Sequence, residues 1–132
     1  MATNTDVIRK LYADFQQSRI EAILPVCTED TTWIIPGAPA LAYAGTHRGR
    51  AAVGEFFQAL GRNLAITEFT PEHYVADGEW VWVSGRYAGG APAGSGHFKS
   101  AWVHRWRLAG GQVCEFHDSF DTLAVARAIG AV

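Results

Sequence analysis

From residue 64 to residue 120 the hydrophobic pattern has a period of two, and glycine-bearing breaks divide it. The breaks are Asp77-Gly78, the glycine-rich segment 89–96 and Gly110-Gly111. Each is hairpin chemistry, because glycine supplies the positive φ that tight turns between twisted strands demand. The pattern therefore predicts four antiparallel strands of roughly ten residues each. Segment 89–96 lacks the Gly-Lys-Ser/Thr of a phosphate loop and opens no helix, so it reads as a hairpin loop.

Upstream the period is that of helices. Val7, Ile8, Leu11, Tyr12 and Phe15 predict an amphipathic helix over residues 5–17. Ser18-Arg-Ile-Glu21 has the form of a capping box, which would open a second, shorter helix that Pro25 ends or kinks. Thr31–Ile35 predicts a short strand, stopped by Pro36-Gly37, and residues 36–48 read as a long loop. Val53, Phe56, Phe57 and Leu60 predict a third helix ending at Gly61. Thr122–Ile129 predicts a terminal helix with Asp121 as N-cap. Helices first and a long antiparallel sheet afterwards is an α+β pattern. The expected architecture is a single domain over 1–132: a curved antiparallel sheet wrapped around the N-terminal helices, forming a cone with an internal pocket.

Composition narrows the function classes. The chain has 132 residues, nearly half of them hydrophobic, and a net charge of −2. No basic stripe is present, so nucleic acid is not an expected partner. No apolar run approaches the ~20 residues that span a bilayer, so no membrane partner is expected. The Met-Ala-Thr-Asn-Thr-Asp start lacks the charged and apolar regions of a signal peptide, and a cytoplasmic location is expected. Cys27 and Cys114 are expected as reduced thiols, neither a disulfide scaffold nor a zinc knuckle. The five histidines include no His-x-His or His-x₃-His pair, so no metal and no cofactor are expected.

The last hairpin carries the chemistry. A two-residue turn at Gly110-Gly111 pairs Trp106 with Glu115 and His104 with His117. A three-residue loop with a bulge at Gly111 pairs Trp106 with Cys114, His104 with Phe116 and Trp102 with Asp118. The second register is preferred, because it keeps one face apolar and sets Arg105 opposite Glu115 outside. The inner face then holds Trp102, His104, Trp106, Cys114, Phe116, Asp118 and Phe120. Val103, Arg105, Glu115 and His117 face outward, and His97 faces away from His104. A carboxylate in an aromatic row is costly to ionise, which makes Asp118 the candidate acid/base. Its alternative is a structural aspartate bonded to a helix terminus or a tyrosine. His104 shares the face and is the candidate to orient or protonate a substrate oxygen, or else a core histidine satisfied by backbone. Trp80 and Trp82 share one face of their strand, Val81 and Val83 the other, so both faces are apolar and the outer one is expected against a second subunit.

With this layout, the chain resembles the SnoaL-like polyketide-cyclase branch of the nuclear-transport-factor-two-like superfamily. The resemblance spans essentially the whole chain. It rests on the opening Val-Ile-Arg-Lys-Leu-Tyr-Ala-Asp-Phe helix, Thr32-Trp33-Ile-Ile-Pro36-Gly37 and Tyr43-Ala-Gly45-Thr-His-Arg48-Gly49. Ala76-Asp77-Gly78 and Phe116-His-Asp118-Ser-Phe120-Asp121-Thr122 complete it. It implies a cone with a deep apolar pocket, commonly dimeric through the outer sheet face, hosting cyclases, isomerases, epoxide hydrolases, dehydratases and proteins of no known activity. Asp118 matches the cyclase aspartate that acts as acid/base in aldol ring closure. The carboxylate base that ketosteroid isomerases carry after the first strand has no counterpart in Ile34-Ile35-Pro36. The Asp-Arg-Asp set of limonene-type epoxide hydrolases is incomplete, since Ala88 stands two residues after Arg86. In the family the region of Trp33 and Tyr43 helps form the pocket mouth, and Tyr43 is a candidate oxyanion donor.

Two functions follow as expectations. One is an enzyme moving a proton alpha to a carbonyl of a small apolar compound, with Asp118 and His104 catalytic. Trp33, Tyr43, Trp102, Trp106, Phe116 and Phe120 would contact the ligand. The aromatic wall would exclude water and raise the Asp118 pKa towards the working pH. The other is a non-catalytic pocket or assembly protein of the same fold. Both are expected as homodimers.

Overall fold

The structure is a computed structural model that describes residues 2–132. Helix α1 (Asn4–Gln16) is opened by a reciprocal capping box: the Thr3 side chain accepts from the Asp6 N–H, and the Asp6 carboxylate accepts from the Thr3 N–H. The box expected at Ser18–Glu21 does not form. Ser18 instead takes a left-handed φ of 59° behind the end of α1, with its N–H on Phe15 O and the Arg19 N–H on Asp14 O. This is a Schellman closure, so the serine ends one helix rather than starting the next. Helix α2 (Ile20–Ile23) is a single turn, followed by a 3₁₀ turn through Pro25.

Strand β1 (Cys27–Ile35) is longer than expected, and β2 (Gly45–Arg48) lies inside what the sequence marks as loop. Gly-Thr-His-Arg has no apolar alternation because β2 is a four-residue sheet edge, paired only with β1. Helix α3 (Arg50–Asn63) runs through Gly61 and closes two residues later, where Leu64 turns extended and buries itself.

The remaining strands are β3 (Ala65–Asp77), β4 (Trp80–Gly90), β5 (His97–Ala109) and β6 (Gln112–Phe120), followed by α4 (Thr122–Ala128). Their four-strand antiparallel succession is as expected. The six strands form one curved, unclosed sheet in the order β2-β1-β6-β5-β4-β3, with β1 and β6 parallel and every other pair antiparallel. Asp121 caps α4, its side chain accepting from the Ala124 N–H. The inner row of β5 (Phe98, Ser100, Trp102, His104, Trp106, Leu108) is buried throughout and meets Ile8, Leu11 and Tyr12 of α1 in one core. The outcome is an α+β cone.

The last hairpin departs from the preferred register. Gly110 and Gly111 both have positive φ, 59° and 79°, which two-residue hairpin turns require, and Ala109 pairs with Gln112. Leu108 then pairs with Val113 but Arg107 with Glu115, so Cys114 is the extra residue of a β-bulge. Three expected pairs are replaced: Trp106 faces Phe116, His104 faces Asp118, and Trp102 faces Phe120. Val113, fully buried, takes the inner place expected for Cys114. Arg105 stands opposite His117 rather than Glu115, though its guanidinium still reaches Glu115 Oε2 at 4.0 Å.

Candidate functional site

The bulge matters chemically because it adds one residue to β6. A regular two-residue hairpin would set His104 against His117 and turn Asp118 outward. With Cys114 bulged, the parity of every residue beyond it is reversed, and Asp118 points inward directly across from His104. The His104 Nε2 lies 3.1 Å from Asp118 Oδ1. That contact has ion-pair distance without hydrogen-bond alignment, and Oδ1 is buried with no hydrogen-bond partner.

The other side of His104 is held. Trp106 Nε1 donates to Tyr12 Oη at 2.8 Å, and Tyr12 Oη meets His104 Nδ1 at 2.8 Å. An indole N–H can only donate, so it occupies an acceptor site of the phenol and leaves the phenol proton for Nδ1. Neutral His104 then carries its proton on Nε2, towards Asp118. The ring is fixed further by Trp102, stacked on it with centroids 3.9 Å apart, and by Phe116 edge-on at 4.9 Å.

These groups face a cavity of about 70 Å³ between the sheet and helices α1 and α3. Its wall includes both expected catalytic residues, Asp118 and His104. It also includes all six aromatic residues expected at the ligand: Trp33, Tyr43, Trp102, Trp106, Phe116 and Phe120. Trp33 packs its ring against Phe116 at 4.8 Å while its N–H bonds Thr31 Oγ1. Tyr43 arrives from the loop before β2, and its hydroxyl is buried with no partner. Burial holds the Tyr43 and Tyr87 phenols well above the usual tyrosine range, and the charge of Asp118 adds to this. Burial does the same for Tyr12, against the lowering effect of the Trp106 N–H. The Tyr12, Tyr43 and Tyr87 phenols therefore keep their protons.

Sequence reasoning passed over Tyr12, Phe56, Phe57, Phe69 and Tyr87, which share the wall. Tyr12 left a signal: it is the one hydroxyl on the otherwise apolar face of α1. Phe69 sits on β3 and Tyr87 on β4, where the sequence leaves open which residues face inward. Arg86 lies outside the cavity, exposed and 3.2 Å from Glu72. His117 is likewise outside, 2.8 Å from Glu115. Among the described residues, no helix is long and apolar enough to cross a membrane.

Comparison with known proteins follows the same lines. No curated protein matches the chain. Among solved structures, an NTF2-like protein from Burkholderia xenovorans is 33% identical with a TM-score of 0.84, covering 96% of this chain and 95% of that one. An NTF2-like protein of unknown function from Burkholderia pseudomallei is 27% identical with a TM-score of 0.90, covering 98% of each chain. TerC, co-crystallised with polyporic acid, is 27% identical with a TM-score of 0.87, covering 96% of this chain and 98% of that one. A family model of the SnoaL-like domain matches residues 8–116, most of the helices and the sheet described above, and the chain belongs to that family.

Proposed function

We propose that the protein is an enzyme that moves a proton alpha to a carbonyl of a small apolar compound, in an isomerase- or cyclase-type reaction, with Asp118 as the acid/base. The observation that carries this reading is the Asp118 Oδ1 atom. It is buried at an aromatic cavity, lacks a hydrogen-bond partner, and stands 3.1 Å from an imidazole held by Tyr12. A base must keep a lone pair free for the substrate, and a structural carboxylate would have spent it on a fixed donor.

In this reading Oδ1 takes the proton from the alpha carbon, and the electron pair moves onto the carbonyl oxygen. Tyr43 Oη, still protonated and without another partner, donates to that oxygen. His104 stands beside the carboxylate, its Nε2 3.1 Å from Oδ1, without taking up that lone pair. Asp118 then returns the proton to carbon, or holds it while carbon–carbon bond formation consumes the enolate. The mainly apolar wall excludes water and strengthens each electrostatic contact. TerC having been co-crystallised with polyporic acid supports an organic compound as the ligand class.

The test is solvent deuterium exchange into small and polycyclic enolisable ketones. Wild type is expected to catalyse exchange, and Asp118→Asn to lose it with its fold intact. Exchange that survives in the variant removes Asp118 as base. If ketones bind and neither protein exchanges them, a non-catalytic ligand-binding domain takes this reading's place.

The outer sheet face supports a homodimer as part of the same proposal. Val75 (61% exposed), Trp82 (43%) and Val103 (43%) sit on three adjacent strands, and the Arg105 guanidinium lies over the Trp80 and Trp82 rings.

A further inference from the structure

Three tryptophans, Trp33, Trp102 and Trp106, are almost wholly buried. An indole N–H can donate but not accept, and it is costly to bury unpaired. Trp33 meets that demand through Thr31 Oγ1 at 3.2 Å, and Trp106 through Tyr12 Oη at 2.8 Å. Trp102, 2% exposed, has no acceptor for its Nε1–H.

The position of this indole is built into the sheet. Its ring stacks on His104 and lies nearly parallel to Phe69, at 9° with centroids 5.0 Å apart. Across the strand pair stands Gly85. A methyl group there would fall 2.4 Å from Trp102 Cζ2 and 2.8 Å from Cε2, the carbon that carries Nε1. It would also fall 2.4 Å from the Thr70 main-chain oxygen, so glycine at 85 lets both the β3 backbone and the indole lie close against β4. The indole is thus packed in one place with a donor that nothing in the protein accepts. Among the residues that line the cavity, the buried polar side-chain atoms without a partner are Trp102 Nε1, Tyr43 Oη and Asp118 Oδ1.

We infer that the Trp102 N–H is a ligand-binding donor that hydrogen-bonds a carbonyl oxygen of the bound compound and selects ketones over hydrocarbons of the same shape. The inference rests on the cavity being the ligand site, as proposed above, but not on any proton transfer by Asp118. Trp102 is a specificity residue in this role, beyond the apolar contact that its ring makes.

The test uses protein labelled with ¹⁵N at its five tryptophan indoles, with the Trp102 signal assigned through Trp102→Phe. Cyclohexanone and methylenecyclohexane are titrated in parallel; they differ in C=O against C=CH₂ at nearly equal shape. Cyclohexanone is expected to move the Trp102 N–H signal downfield, while methylenecyclohexane leaves it near its starting position. Trp102→Phe is expected to weaken cyclohexanone about tenfold, one hydrogen bond's worth, and methylenecyclohexane less than about threefold. Equal movement with both compounds, or equal weakening of both, makes Trp102 a packing group and overturns the inference. If neither compound moves the Trp33, Trp102 or Trp106 signals, the cavity is not the ligand site and both readings fall. If the Trp102 response appears but no ketone undergoes deuterium exchange, this inference stands and the catalytic reading fails.

Discussion

Tyr12→Phe separates the network that holds His104 from the packing around it. The substitution keeps the ring, which contacts Phe69, Tyr74, Trp102, His104 and Trp106 with centroids 5.7 to 6.1 Å away, and removes a single oxygen. That oxygen satisfies two buried partners, the Trp106 N–H and His104 Nδ1. Each partner left unpaired costs about 1–3 kcal/mol, and movement of the imidazole recovers part, so the expected loss is about 2–4 kcal/mol. A domain of this size carries about 5–15 kcal/mol in all, and the fall in Tm is on the order of 10 °C. Urea unfolding followed by circular dichroism measures it, with an unchanged slope as the sign that the loss is in the native state. A double-mutant cycle with Trp106→Phe isolates the shared bond, because either change alone removes it; the expected coupling is about 1–2 kcal/mol. A loss below about 0.5 kcal/mol, or strict additivity, would refute the claim that this hydroxyl satisfies two groups inside the core.

Two further perturbations address other parts of the molecule. Burial pushes the Cys27 thiol up to about 11 from the ordinary 9.0. The native state then holds that proton more tightly than the unfolded chain, so from about pH 9 to 11 unfolding releases it. Stability falls as pH rises through that window, by about 2–3 kcal/mol from this group. The stability difference between wild type and Cys27→Ala should shrink over those two units; a constant difference would show that the thiol does not titrate there. Trp82→Glu sets a carboxylate on the exposed outer face, and sedimentation should show a wild-type dimer becoming a folded monomer. A wild-type monomer, or an unchanged variant dimer, ends the proposal for that face.

Where the sequence is legible, the signal is local. The α1 helix follows from apolar spacing, the four long strands from alternation between glycine turns, and the inward position of Asp118 from one charge in an aromatic row. Where it misleads, two local rules compete for the same residues. Ser18-Arg-Ile-Glu21 satisfies a capping box, yet Ser18 serves as the left-handed closure of α1, because that arrangement bonds the orphan carbonyls of Asp14 and Phe15. Gly110-Gly111 admits two turn lengths, and the parity of the inner face alone does not separate a longer loop from a two-residue turn followed by a bulge. Both put Asp118 inside; they differ in its partner. The longer loop sets it across from Trp102, whose side chain cannot titrate. The observed bulge at Cys114 moves the pairing by two residues and sets it across from His104, whose far nitrogen α1 holds through Tyr12. The face of the candidate base was therefore readable from periodicity, while its partnership with histidine depends on one extra residue in β6. Tyr12 completes the arrangement from more than ninety residues away in sequence, a contact that no spacing rule within a helix or a hairpin encodes.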